Sequence, residues 1–321
     1  MTSNVAELAK LSNAVIQEVE KAVVGKRMVL KKIMATFLTT GGHVLLEDYP
    51  GLAKTLIANS FATTLGMSFK RIQFTPDLLP GDITGGYIYD RAQSAFVLRK
   101  GSIFANIILA DEINRASPKT QSALLEAMQE FQVSLEGETI HLPDPFITIA
   151  TQNPIEYEGT FPLPEAQLDR FMVKLSVGYP SRDEEHEILH SRHERKKDQF
   201  VLNTVTDSAG LLAMREIVED VFIDPDLELY IVDLVQKTRE HGKIAIGASP
   251  RAALALLKLS RAWAAMHERN FVVPDDIKIF VEDALSHRII LVPGLWNSQL
   301  AGHNILTEIV NSVPVPVIQG I

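Results

Sequence analysis

Five short, mostly apolar runs at residues 43–46, 71–74, 107–110, 146–150 and 171–175 are spaced through the first 180 residues, with helical patterns between most of them. Runs this short read as buried strands, and strands alternating with helices read as a parallel sheet covered on both faces. The best-marked helix spans 117–131: Ser117 is its cap, Pro118 its first helical residue, and Leu124, Leu125, Met128 and Phe131 its apolar face. An amphipathic helix over 5–24 leads into the sheet. Two segments break the alternation. Residues 85–101 carry aromatic and β-branched runs around a polar turn, and 132–142 alternate apolar and polar residues about Glu136-Gly137, so both read as hairpins. Beyond Tyr179-Pro180-Ser181 the pattern is almost wholly helical, as in 225–240 and 249–267. An α/β domain over 1–180 followed by a helical domain over 181–321 is therefore expected.

At about 150 residues per domain, 321 residues suit two domains. The 31 basic and 40 acidic side chains leave a net charge of −9, so nucleic acid is not the expected partner. There is no cysteine, which removes a disulfide framework, a thiolate metal site and a thiol nucleophile. Glu7, Lys10, Glu18 and Glu20 stand where a leader peptide would need an apolar run. The longest uncharged stretch, 289–307, contains Pro293, Gly294, Asn297, Gln299 and His303 and does not read as a membrane span. The expected location is the cytoplasm.

Residues 44–55, VLLEDYPGLAKT, read as a strand, a tight loop and a helix opening at Thr55. Against the phosphate-loop pattern G-x-x-x-x-G-K-[ST] they keep Lys54 and Thr55 but carry Asp48 and Ala53 at the glycine positions. Pro50-Gly51 makes the turn instead. Such a loop must aim backbone N–H groups at phosphate from a helix N-terminus, and Gly51, Leu52, Ala53, Lys54 and Thr55 can supply them. Lys54 would neutralise the β- and γ-phosphates, and the Thr55 hydroxyl would ligate Mg2+. Taken alone, the stretch also fits an ordinary strand-to-helix turn with a surface lysine.

Residues 107–112, IILADE, form an apolar run ending in two carboxylates. The carboxyl ends of strands are where open α/β sheets bind ligands. There Asp111 would hold hydrated Mg2+ and Glu112 would orient and polarise an attacking water; capping of the next helix is the plainer role for either. Asn153, just past the fourth run, would sit beside the γ-phosphate, although Asn before Pro is also a common turn.

Three segments, LLEDYPGLAKT at 45–55, GSIFANIILADEINRASPKTQSALLEAMQE at 101–130 and IATQNPIEYEGTFPLPEAQLDRF at 149–171, resemble the MoxR family of AAA+ ATPases. The resemblance runs from about residue 23 to the end, where NSVPVP also fits. It implies a P-loop core with a five-stranded parallel sheet in the order 5-1-4-3-2, two β-hairpin insertions matching 85–101 and 132–142, and an all-helical lid. Carried over residue by residue, Lys54 and Thr55 match Walker A, Asp111 and Glu112 Walker B, and Asn153 sensor 1. Arg170 matches the arginine finger, Arg251 matches sensor 2 on the lid, and Val24-Gly25 matches the segment beside adenine. Pro50, Gly51, Leu52 and Ala53 complete the ATP-binding loop. Ala53 departs from the family's glycine, and its methyl would crowd the phosphates or shift the loop. The resemblance further implies ATP and Mg2+ as cofactors, with nucleotide held between core and lid. It implies a homo-oligomeric ring, a hexamer, because the finger serves the next subunit. The implied work is chaperone-like maturation of other proteins, including metal-cofactor insertion, with partners that carry a von Willebrand factor A domain.

One motif points elsewhere. His186-Glu-Ile-Leu-His190 spells H-E-x-x-H, His193 follows one turn on, and on a helix His186 and His190 would share a face that could bind zinc. The charged flanks leave only Ile188 and Leu189 to bury, so a solvated helix is expected, placed by the resemblance at the start of the lid and away from nucleotide. Arg115 suits either contact with a neighbouring subunit or the start of the next helix. Tyr87, Tyr89 and Phe96 read as packing within the first hairpin, and Trp263 and Trp296 as lid core. Two other functions share these motifs: a nucleotide-gated scaffold with little turnover, supported by Ala53, and a DNA-remodelling motor, against which the net charge counts.

Overall fold

The computed structural model describes residues 2–154, 159–295 and 299–316, so Trp296 lies outside the described residues. Helices α1 (Thr2–Glu20) and α2 (Arg27–Phe37) precede β1 (Val44–Glu47), α3 (Lys54–Thr64) and β2 (Phe69–Gln73). The short α4 (Pro80–Thr84) leads into the hairpin β3 (Gly85–Asp90) and β4 (Ala95–Lys100). Then come β5 (Ile107–Asp111), α5 (Pro118–Glu130), the hairpin β6 (Gln132–Leu135) and β7 (Glu138–His141), and β8 (Ile147–Gln152). α6 (Glu165–Leu168) and β9 (Val173–Leu175) complete this half.

The sheet is parallel, in the order β2-β5-β8-β1-β9. Counting its five strands by sequence, this is the 5-1-4-3-2 order that the resemblance implied. Along β5, Ile107 and Leu109 enter one apolar cluster while Ile108 and Ala110 enter a second on the opposite face. Both faces are covered, which is why the strands read as continuous apolar runs rather than alternating ones. Each fully buried Leu or Ile contributes about 1.5–3 kcal/mol. The register sets Gln73 beside Asp111 and Glu47 beside Gln152, bringing polar strand ends to one edge.

Both hairpins occur where the alternation broke. In the second, Glu136 (φ 49°) and Gly137 (φ 85°) are left-handed, as a two-residue primed turn requires. Helix α5 is capped by the Ser117 hydroxyl, which accepts from Thr120 N–H at 3.4 Å. Phe131 does not extend its apolar face: it is the C-cap at φ 53° and is partly exposed. His43, wholly buried, accepts from Thr148 N–H at Nδ1 (3.0 Å), so its proton sits on Nε2, which donates to Met128 O (3.0 Å). Burial pushes its pKa down to about 4.

The remaining elements are α7 (Arg182–Arg195), α8 (Ser208–Glu219), α9 (Pro225–Glu240), β10 (Ile244–Ile246), α10 (Pro250–Met266), α11 (Pro274–Leu285), β11 (Ile290–Leu291) and α12 (Gln299–Ser312). The expected all-helical character holds except for the two short strands, which pair antiparallel. Leu256, Leu259 and Trp263 of α10 share one buried cluster with Leu8 and Val15 of α1 and Leu30 and Met34 of α2. Among the described residues no helix is long and apolar enough to cross a membrane.

Candidate functional site

The loop between β1 and α3 is built by exceptions to ordinary backbone chemistry. Gly51 has φ +83°, and a Cβ there would meet nothing within 4 Å. Ala53 caps α3 with left-handed angles of φ 54° and ψ 15°, so a conformation that favours glycine is held here by an L-residue. The helix opens at Lys54, one residue earlier than the sequence suggested, with the N–H groups of its first turn facing the loop. Lys54 Nζ donates to the carbonyls of Asp48 (2.5 Å) and Tyr49 (3.4 Å). Asp48, at the other consensus glycine position, is a buried clamp. Its carboxylate accepts from Ser176 Oγ (2.8 Å), from Gly178 N–H (3.3 Å) and from Val177 N–H. The phosphate-loop scaffold is thereby tied to the chain leaving β9.

Opposite the loop, Asp111 ends β5 and is 9% exposed. Its Oδ1 accepts from Thr151 Oγ1 (2.6 Å), and its Oδ2 accepts from Arg71 Nε (3.0 Å) and Nη2 (2.6 Å). Thr151 Oγ1 also accepts from Glu112 N–H at 2.8 Å, so one hydroxyl fixes the spacing of the two carboxylates. Glu112 has φ 56° and ψ 51°, a second left-handed residue at the same site. Observed strain of this kind is commonly held at working sites. Glu112 Oε2 accepts from Gln73 Nε2 (2.7 Å) and from Arg115 Nη1 (3.0 Å). Arg115 therefore belongs to the turn after β5 and pairs with the carboxylate.

Lys54, Thr55, Asp111, Glu112 and Asn153 line one cavity of about 410 Å3, together with Pro50, Gly51, Leu52 and Ala53. Arg71 lines it too and was missed from the sequence, as were Gln73 and Thr151. The available signal was the polar pair Arg71 and Gln73 alternating with buried Ile72 and Phe74. A second cavity of about 330 Å3 takes in Gly51–Ala53 and is walled by Val23, Val24 and Lys26. Gly25 is a turn residue (φ +75°) whose missing Cβ leaves room for the Glu184 side chain.

Ile188, Ser191, Arg192 and Arg195 of α7 also wall this second cavity. The helix is solvated as expected, with no buried residue. Its expected distance from the nucleotide site is corrected, because its residues line the same cavity as Gly51, Leu52 and Ala53 and its Glu184 lies against Gly25. The His186 and His190 rings lie parallel with centroids 6.3 Å apart. Among the described residues no group of three or more candidate ligands could hold a metal ion.

Arg170 and Arg251 are brought to a different place, a cavity of about 310 Å3 that Lys258 and Arg288 also line. Arg251 lies on the lid segment, as expected, where it faces Asp169 (3.8 Å) and does not line the Lys54 cavity. The reason is packing: α10 buries its apolar face on α1 and α2, which fixes its N-terminal end beside Asp169. Arg170 Nε is buried without a hydrogen-bond partner. In the first hairpin, Tyr87 donates to Glu138 of the second, and Tyr89 and Phe96 pack edge-to-face 5.4 Å apart while remaining exposed. Trp263 is buried and packs edge-to-face on Phe280 at 5.4 Å.

A five-stranded parallel sheet with a phosphate loop after its first strand, an Asp-Glu pair after its third and a helical second half defines an AAA+ protein. The model of the ATPase family associated with various cellular activities matches residues 43–173, and that of the AAA lid domain matches 236–309. The chain is 46% identical over 311 residues to the uncharacterized protein YeaC of Bacillus subtilis, covering 97% of each. It is 39% identical over 325 residues to Chaperone MoxR1 of Mycobacterium tuberculosis, covering 98% of this chain and 85% of that one. A crystal structure of a provisionally assigned ATPase from Cytophaga hutchinsonii superposes with a TM-score of 0.90 at 40% identity, covering 98% of both chains. The chain belongs to the MoxR family of AAA+ ATPases.

Proposed function

We propose that this protein binds and hydrolyses MgATP and uses the cycle to remodel partner proteins. The observation that carries the reading is the cavity in which Lys54 and Thr55 at the head of α3 face Asp111 and Glu112 at the end of β5. The residues fit the group: Asp111, carrying Arg71 as its present countercharge, is a hard oxygen ligand, and Thr55 adds a hydroxyl. Bound Mg2+ would neutralise charge on the β- and γ-phosphate oxygens, with Thr55 as a direct ligand and Asp111 acting through water. The N–H groups of residues 51–55 and the Lys54 ammonium bind the phosphates. Glu112 orients and polarises the water, and Asn153 places it beside the γ-phosphate. Val24, Gly25 and the α7 wall enclose the base.

Arg170 is proposed to serve the nucleotide of a neighbouring subunit in a homo-hexameric ring, with Arg251 beside it on the same face. The division into a core over 1–180 and a lid over 181–321 belongs to the same reading, as do a cytoplasmic location and a von Willebrand factor A domain partner. The relative named Chaperone MoxR1 supports protein clients and leaves metal-cofactor insertion as one form of the work. The test is Mg2+-dependent phosphate release. Wild-type turnover that disappears together with ATP binding in Lys54→Ala supports the reading. ATP binding without turnover in the wild type refutes hydrolysis and leaves a nucleotide-gated scaffold.

A further inference from the structure

Arg288 follows α11 in a short 3-10 turn, within the segment matched as lid. Its side chain is 4% exposed. A guanidinium has five N–H donors in a fixed fork, and here five bonds are made. Nε donates to Asp169 Oδ1 (2.7 Å), Nη1 to Met172 O (3.2 Å) and Ala284 O (2.6 Å), and Nη2 to Asp169 O (3.2 Å) and Phe171 O (2.8 Å). Four of the five reach residues 169–172, bracketing Arg170 without a hydrogen bond to it. His287 adds a further bond from Nε2 to Phe171 O (3.0 Å).

The neighbouring carboxylate is held by the lid from a second side. Ser249 Oγ donates to Asp169 Oδ2 at 3.2 Å, and Arg251 lies 3.8 Å away. The backbone on both sides of Arg170 is thus fastened to lid residues, while the Arg170 Nε is buried and unpartnered. A buried ion pair is weak as a source of stability, because desolvation consumes most of its attraction. Its strength is directional: the planar fork fixes where its partners sit, which an ammonium cannot do.

We infer that Arg288 is a positioning residue for Arg170, and that the Asp169–Arg288 contact carries the lid's position into the arginine that acts on the next subunit. The inference rests on the proposed role of Arg170 in trans. A lid that shifts when its own subunit exchanges nucleotide then moves residues 169–172 with it, so the state of one site is delivered to its neighbour.

The experiment compares Arg288→Gln, Arg288→Lys and Asp169→Asn in the full chain, with ring assembly followed by sedimentation. Arg288→Gln is expected to lower kcat about 10²-fold, the scale for a catalytic group misplaced by about 1 Å, with KM for ATP unchanged. Arg288→Lys, which keeps the charge but loses the fork, should fall between. Combining Arg288→Gln with Arg170→Ala should be no slower than Arg170→Ala alone. Mixing Arg288→Gln chains with Glu112→Gln chains should restore turnover, as mixing Arg170→Ala with Glu112→Gln does. Multiplicative losses in the combined variant overturn the inference, as does recovery with Arg170→Ala but not with Arg288→Gln. Recovery with neither refutes the role of Arg170 in trans and this inference with it. Asp169→Asn carries the same readouts if Arg288→Gln does not fold.

Discussion

Ala53→Gly is the perturbation whose sign the backbone decides. Ala53 stands at φ 54° and ψ 15°. The left-handed region costs an L-residue about 1–2 kcal/mol, which glycine does not incur. Glycine also gives the unfolded chain more freedom, a loss of about 0.4–1 kcal/mol on folding. The balance is a gain of roughly 0.5–1 kcal/mol, which should raise the urea midpoint at constant m, since the surface exposed on unfolding is unchanged. ATP affinity should hold or rise, because the methyl leaves a loop whose N–H groups must approach phosphate closely. The partner variant Ala53→Val places a β-branched side chain at the same positive φ and should lower the midpoint clearly. Urea unfolding and calorimetric ATP titration read the two effects separately. A lower midpoint for Ala53→Gly refutes the strain argument, and a clear fall in affinity shows that the loop is built around the methyl.

Glu112→Gln should bind ATP at wild-type affinity yet turn it over very slowly, since the amide keeps its bond to Gln73 or Arg115 but cannot polarise water; a loss of binding equal to that of Lys54→Ala would make Glu112 structural. His43 is held neutral with a pKa near 4 against an ordinary 6.5, so the unfolded chain binds the extra proton first. Its contribution is complete above pH 6.5 and falls by about 3 kcal/mol as pH drops to 4, and His43→Gln should flatten the urea midpoint over that window. The purified protein should hold no stoichiometric zinc, and His186→Ala with His190→Ala should leave ATPase activity unchanged; one zinc per chain, lost in that variant, would overturn the solvated-helix reading.

The sheet was legible because burial on both faces turns strands into continuous apolar runs, and both hairpins showed where that pattern failed. That Lys54, Thr55, Asp111, Glu112 and Asn153 share one cavity was legible, because strand ends and a helix start, which sequence marks locally, bring them together. Asp48, Arg71 and Thr151 were not legible in the same way. Asp48 matters through backbone N–H groups more than a hundred residues away, at 177 and 178. Arg71 and Thr151 become site residues only when strand register sets β2 and β8 beside β5. The placement of α7 beside the loop, and of Arg251 beside Asp169, was not legible for a related reason. Each lies in an easily read helix, but where that helix packs depends on faces of α1, α2 and the chain after β9, which no local pattern reports.

On the proposed reading, the Lys54 cavity is incomplete within one chain, and its charges show why. The transition state of phosphoryl transfer spreads negative charge over the γ-phosphate oxygens. Of the cations near that end, Arg71 is bonded to Asp111 and Arg115 to Glu112, so their charge is already committed to carboxylates. Arg170, Arg251, Lys258 and Arg288 line another cavity, in which Asp169 is the one carboxylate among the described residues. That second cavity carries the positive charge the first one needs, and it carries it on a loop fastened to the lid. A chain with its phosphate loop at one cavity and its spare arginines at another is suited to act between copies of itself. Helix α10, packed on α1 and α2 rather than over Lys54, and the Arg288 turn fastened to residues 169–172 are then placed to report one subunit's nucleotide at the next subunit's site.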